Sequence, residues 1–280
     1  MITLSHFTLL PLLAARNQRE SNALVSPDLG LTSIFVALDA NGVHFPDGQT
    51  LIWTDAEAIS SDDVGCYALE DNAIRKIQMF SGETQRAVSL MPTPGAPTML
   101  IAGFPMHRIK DTDPILDTQA KIKAIAPISG RVLDCNMGLG YTAIHAARTA
   151  QHVITIELDP AVVAIAEQNP WSRELFTNPR IERVIGDAFD VVEAQQDESF
   201  ARVLHDPPTI QLAGDLYSAD FYRELYRVLQ KGGRLFHYIG DPNSTHGAKF
   251  TPGVMARLEK VGFTRVVRRP DAFGVSAHKA

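Results

Sequence analysis

From Arg131 onward, apolar and polar positions alternate between two periods. Short runs that read as buried strands (131–135, 152–157, 181–186, 200–205 and 233–239) are separated by stretches of helical spacing (141–150, 160–168, 187–194 and 218–230). In the last helix Phe221, Leu225, Val228 and Leu229 fall at i, i+4, i+7 and i+8, one face of a helix. Gly232-Gly233 then reads as its stop. A helix from Pro252 to Val261 and two strands, 263–268 and 272–278, complete the pattern. This alternation predicts an α/β domain with a mostly parallel, doubly wound sheet over residues 113–280.

Residues 1–112 read instead as a small β-rich domain. Leu31 to Leu38 is strand-like, and Asn41-Gly42 is a hairpin signal before Val43 to Phe45. Thr54 is expected to cap a short helix through Ile59. Ile74 to Phe80 reads as one strand, returning as Ala87 to Met91. Pro92 to Pro97 is a rigid break before a strand at Thr98 to Ala102. A helix from Asp117 to Ile125 leads into the first strand of the sheet. Phe7 to Ala15 is apolar, but no Lys or Arg precedes it and Pro11 interrupts it. We therefore expect a short amphipathic segment there, not a secretion signal.

Composition narrows the function. At 45% hydrophobic and 21% charged residues the chain reads as an ordinary globular protein. A net charge of −6 disfavours a nucleic-acid partner and leaves a small-molecule amine or a protein as acceptor. No apolar run approaches the roughly 20 residues that span a membrane. Cys66 and Cys135 form neither a disulfide framework nor a metal-ligand spacing, so no metal is expected and a cytoplasmic location fits.

Candidate chemistry centres on Arg131 to Tyr141, RVLDCNMGLGY. A strand passes into a turn with Gly138 and Gly140, then into a helix. Such a turn lets a ligand approach the backbone closely. Glu157 ends the second strand roughly 20 residues on, where an acid can hold ribose hydroxyls. Asp187 and Ala188 follow the third strand, and Asp187 also suits a helix N-cap. The fourth strand ends in His205-Asp206-Pro207-Pro208-Thr209, whose prolines fix a stiff loop at the cleft. His205, Tyr217, Tyr222, His237, Tyr238 and His246 are further candidates near the cleft; Tyr217 and Tyr222 come after the DPP loop, and His237-Tyr238 close the fifth strand. Of these, Tyr217 and His237 are kept as acceptor contacts. His107 and Arg108 either reach over the cleft or form a solvated junction.

D-C-N-M-G-L-G resembles the first motif, D-x-G-x-G-x-G, of class I S-adenosylmethionine-dependent methyltransferases, with Asn136 at the first glycine. Asn tolerates left-handed backbone better than other non-glycine residues. HDPPT resembles their D/N-P-P-Y/F motif, with Thr209 in place of the aromatic that stacks on a nucleobase. SPDLGLTSIFVAL, FPMHRIKDTDP, NPWSRELF, LAGDLYSADFYRELYRVL and GGRLFHYIG extend the likeness to a family of predicted archaeal-type methyltransferases. The resemblance implies a Rossmann-like sheet of seven strands with the last antiparallel, and S-adenosylmethionine as cofactor. It implies that Asp134, Asn136, Gly138 and Gly140 hold the methionine and ribose side, Glu157 the ribose, and Asp187 and Ala188 the adenine. Asp206 and the Pro207 carbonyl would orient an acceptor nitrogen.

A second resemblance, to spermidine synthase-like aminopropyltransferases, rests on PRIERVIGDAF and LYSADFY. It implies decarboxylated S-adenosylmethionine as cofactor. Against it, the G-G-G-D-G motif and the second acid of D-x-x-D-P are absent. A third reading is a ligand-binding regulator that kept the fold without the chemistry. The N-terminal domain is expected to cover the cleft or to join protomers as a homodimer.

Overall fold

The computed structural model describes residues 1–208, 213–241 and 244–280, without the side chains of 245 and 246. It divides into two compact units. The first comprises Met1–Pro114 together with Ala161–Arg173, and the second Ile115–Pro160 together with Glu174–Ala280.

The first unit holds three small antiparallel sheets: 2–4/67–70/73–76, 22–25/34–38/42–44/50–52, and 78–80/87–91/98–101/104–105. Its apolar start forms a helix, His6–Asn17, that buries Leu9 and Leu12 completely. The hairpin at Asn41-Gly42 forms as expected, with Asp39 Oδ1 accepting from both backbone N–H groups at 2.7 and 3.0 Å. Two expectations fail. The helix Trp53–Ser60 starts two residues earlier than a Thr54 cap requires, with Ile52 at the cap position. The stretch 74–80 is two strands in different sheets. Ile77 is the pivot, its N–H donating to Cys66 O at 2.8 Å and its carbonyl accepting from Leu90 N at 3.0 Å. Side-chain alternation continues through such a pivot, so the sequence pattern does not show it.

The second unit is the α/β sheet. Its strands are β1 (Arg131–Asp134), β2 (His152–Glu157), β3 (Ile181–Ile185), β4 (Phe200–His205), β5 (Leu229–Tyr238), β6 (Thr264–Arg269) and β7 (Gly274–His278). They lie in the order β3-β2-β1-β4-β5-β7-β6. The first five run parallel, and β7 is antiparallel to both its neighbours. The helices used below are α1 (Pro114–Ala124), α2 (Tyr141–Ala147), α3 (Ala188–Glu193), α4 (Ala219–Val228) and α5 (Thr245–Val261). One core joins Leu133, Val203, Leu235, Val275 and Ala277 of the sheet to Val192, Phe221, Tyr222, Leu225, Val228, Val254 and Leu258 of the helices.

Boundaries shift where local chemistry overrides the period. Ser218 caps α4 by accepting from Phe221 N at 3.1 Å. The helix ends at Val228 and not at the glycine pair, because Leu229 is already extended and pairs with Phe200 as the start of β5. Gly232 sits inside that strand at φ +74°. Helix α5 begins seven residues before Pro252, under a Ser244 cap that accepts from Gly247 N at 2.9 Å. Among the described residues no helix is long and apolar enough to cross a membrane.

Gly140 shows why the first turn needs glycine. It caps α2 at φ +76°, and a Cβ there would lie 2.5 Å from the Leu175 side chain. Backbone strain and overpacking add, so Gly140→Ala is expected to cost about 2–4 kcal/mol in urea denaturation. A loss under about 0.5 kcal/mol, the scale of a neutral surface change, would show that Leu175 gives way freely.

Candidate active site

The parallel strands bring four loops to their carboxyl ends. Asp134 closes β1 and is fully buried. Its Oδ2 accepts from Thr142 Oγ1 at 3.0 Å and Thr155 Oγ1 at 2.9 Å, so one carboxylate ties β1 to α2 and β2. Burial, opposed by those two hydroxyls, pushes its pKa up to about 7. Met137 N donates to Ile156 O at 2.8 Å, holding the turn against β2.

Two features of that turn suit a bound nucleoside. Gly138 has φ +53°, and a Cβ on it would meet nothing within 4 Å, so the backbone lies open to a ligand. Asn136 Oδ1 and Asp134 Oδ1 are buried with no hydrogen-bond partner. Buried acceptors of this kind are rare in a finished structure and are satisfied when a donor binds. Asn136 itself does not adopt a left-handed backbone. The positive φ values fall on Gly138 and Gly140, so conformational tolerance is not why asparagine stands there.

Glu157, at the end of β2, bridges to the same turn. Its Oε2 accepts from Gly138 N and its Oε1 from Asp159 N, both at 3.1 Å. Burial, partly offset by these donors, raises its pKa to about 7. Each oxygen keeps a lone pair for a ribose hydroxyl. Asp187 caps α3, its Oδ1 accepting from Phe189 N at 2.7 Å, and the residue is exposed at the end of β3. Ala188 beside it is buried.

At the end of β4, Asp206 is four-fifths buried and forms an ion pair with Lys121 Nζ of α1 at 2.6 Å. Lys121 is itself buried, 2.9 Å from Asp117, with its Nζ 4.9 Å from the centre of the Tyr238 ring. Burial alone would lower the Lys121 pKa, but the Asp206 and Asp117 carboxylates outweigh it and hold it above the ordinary lysine value. The sequence reading missed both Asp117 and Lys121. The signal was present as an acid and a lysine at i and i+4 in a helix leading into the site.

Tyr217 and His237 change roles. The Tyr217 hydroxyl donates to the Pro208 carbonyl at 2.9 Å, and the residue is 5% exposed, so it braces the proline turn. His237 is fully buried, with Nε2 2.9 Å from the Tyr222 hydroxyl and Nδ1 3.3 Å from His205 O. Burial and the neighbouring His205 ring push its pKa down. His237 is therefore a neutral packing residue behind the loop and not an acceptor contact. His205 is likewise buried, with a pKa pushed down to about 3 by burial, and Nε2 held by Leu216 O at 2.9 Å. Thr209 and the side chain of His246 lie outside the described residues.

Sheet order and strand-end loops are those of the class I S-adenosylmethionine-dependent methyltransferase fold. The family described as "Methyltransferase domain" matches residues 132–233. The uncharacterized protein MJ1233 of Methanocaldococcus jannaschii is 40% identical over 269 residues, covering 94% of this chain and 91% of that one. The putrescine N-methyltransferase 2 of Nicotiana tabacum is 29% identical over 111 residues, covering 38% of this chain and 31% of that one. A solved spermidine synthase in complex with the transition-state analogue AdoDATO shares the fold with a TM-score of 0.58 at 19% identity, over 73% of this chain and 74% of that one. The chain belongs to the class I S-adenosylmethionine-dependent methyltransferase superfamily, in the family of MJ1233 and with spermidine synthase-like relatives.

The raised Glu157 pKa has a testable sign. Between about pH 4.5 and pH 7 the folded chain holds this proton more tightly than the unfolded chain, so stability falls as pH rises through that window. Glu157→Gln removes the dependence. Relative to wild type, the variant is expected to gain on the order of 1–3 kcal/mol across the window in urea denaturation. A difference that does not change with pH would place Glu157 in solvent.

Proposed function

We propose that this enzyme methylates a nitrogen of a small amine or of a protein side chain. The carrying observation is the Asp206-Pro207-Pro208 turn at the end of β4, where a charged, largely buried carboxylate sits on a stiff support. Tyr217 braces the turn from one side and Lys121 holds the carboxylate from the other. Bound at the β1 and β2 loops, S-adenosylmethionine supplies an electrophilic methyl group on its sulfonium. The buried acceptors of Asp134 and Asn136, the open backbone at Gly138 and the Glu157 carboxylate are the groups that would hold it.

Asp206 and the Pro207 carbonyl then accept hydrogen bonds from the acceptor N–H groups. Fixing those bonds aims the nitrogen lone pair, so orientation supplies much of the rate. Asp206 is half of an ion pair, which suits an acceptor of hydrogen bonds better than a base. The amine therefore arrives neutral, and its proton leaves to solvent after transfer. Similarity to a putrescine N-methyltransferase supports a small amine as acceptor.

Aminopropyl transfer from decarboxylated S-adenosylmethionine is the second reading, supported by the spermidine synthase-like fold. Against it stands Thr209, three residues after Asp206, where the aminopropyltransferase pattern D-x-x-D-P carries its second acid.

Calorimetry separates the two. S-adenosylmethionine is expected to bind at least about tenfold more tightly than its decarboxylated form, a difference of roughly 1.4 kcal/mol. The reverse preference would overturn methyl transfer. Asp206→Ala is expected to reduce transfer to putrescine roughly 100-fold or more while S-adenosylhomocysteine binding is retained. Equal loss of both would make Asp206 a structural residue.

A further inference from the structure

We propose that Lys121 is a positioning residue for the acceptor, fixing the direction of the Asp206 carboxylate through its Oδ2. This rests on the amine-transfer reading above and deepens it. The first observation is where the lysine lies. Helix α1 carries two lysines in its last turn, Lys121 and Lys123. Lys123 is exposed, as a lysine on such a helix usually is, whereas Lys121 is 1% exposed. Burying an ammonium is costly unless each of its donors is met.

The second observation is what meets them. Asp117 lies one helical turn back at 2.9 Å, Asp206 at 2.6 Å comes from a strand end 85 residues away, and the Tyr238 ring at 4.9 Å covers a further side. Asp117 and Tyr238 thus fix the ammonium, and the ammonium fixes Asp206 Oδ2. The ion pair at Oδ2 restrains rotation of the carboxylate about its terminal bond. Asp206 gains orientation that a free aspartate on a loop would lack, and the backbone of that loop is held independently by Tyr217 and Pro208.

Removing Lys121 alone leaves the fully buried Asp117 without its ammonium, so the informative variant is Asp117→Asn/Lys121→Met. It removes one negative and one positive charge together and keeps the net charge of the cluster. Three measurements on the full chain decide the matter: S-adenosylhomocysteine binding by calorimetry, kcat and KM with putrescine as probe amine, and a crystal structure of the double variant. The expected result is cofactor affinity within about twofold, kcat lowered roughly 100-fold, and Asp206 turned away from its wild-type direction. In the Asp206→Ala background the double substitution is expected to change kcat no further, because the lysine acts only through that carboxylate.

Asp206 unmoved, with kcat within about twofold of wild type, would overturn the proposal. A further loss in the Asp206→Ala background would do the same. If the wild-type enzyme turned over no amine and yet Asp206 moved in the double variant, the positioning role would stand and the amine reading would fall.

Discussion

The site depends on one buried carboxylate. Asp134 is removed from water entirely, and a carboxylate in that position is tolerable only when donors reach it. Thr142 and Thr155 do so from the helix after the turn and from the neighbouring strand. The three elements that frame the cofactor loop are thereby pinned at one point, within a turn whose glycines carry the left-handed backbone. Two hydroxyl donors on one buried carboxyl oxygen thus tie the loop to both neighbouring elements.

From that pin the site divides by charge. On the cofactor side, Asp134 and Glu157 both have pKa values raised to about 7 by burial, so neither is firmly ionised at neutral pH. On the acceptor side, Lys121 is held charged by two carboxylates. On the proposed function, a cationic cofactor and a neutral nucleophile would meet different electrostatics. The cofactor's positive charge would favour ionisation of the acids beside it, while the acceptor would meet a carboxylate already matched by an ammonium.

Much of this was legible in the residues. The sheet could be read because its five parallel strands are short apolar runs between helical spacings, and Gly140 because a helix turned that tightly demands glycine. The rest failed for physical reasons. The Asp117 spacing marks Lys121 and not Lys123, but that its other partner is Asp206 at the distant end of β4 is not encoded locally. His237 sits near the end of β5, and Tyr217 follows the loop after β4, regions where chemistry collects. Which side of the loop a ring occupies is decided by packing against Tyr222 and Pro208, which spacing does not encode. The glycine pair at 232–233 reads as a helix stop, but pairing of Leu229 with Phe200 ends the helix first.

The chain path through the two units has a consequence for synthesis. Residues 161–173 follow the second strand of the sheet and yet group with the N-terminal unit, where the Trp171 indole N–H donates to Leu29 O at 3.0 Å. The N-terminal unit is therefore not finished when its first 114 residues have left the ribosome. It waits until two strands of the other unit have been made. Dividing the gene at that junction would give two fragments, each carrying or lacking a piece that belongs to the other.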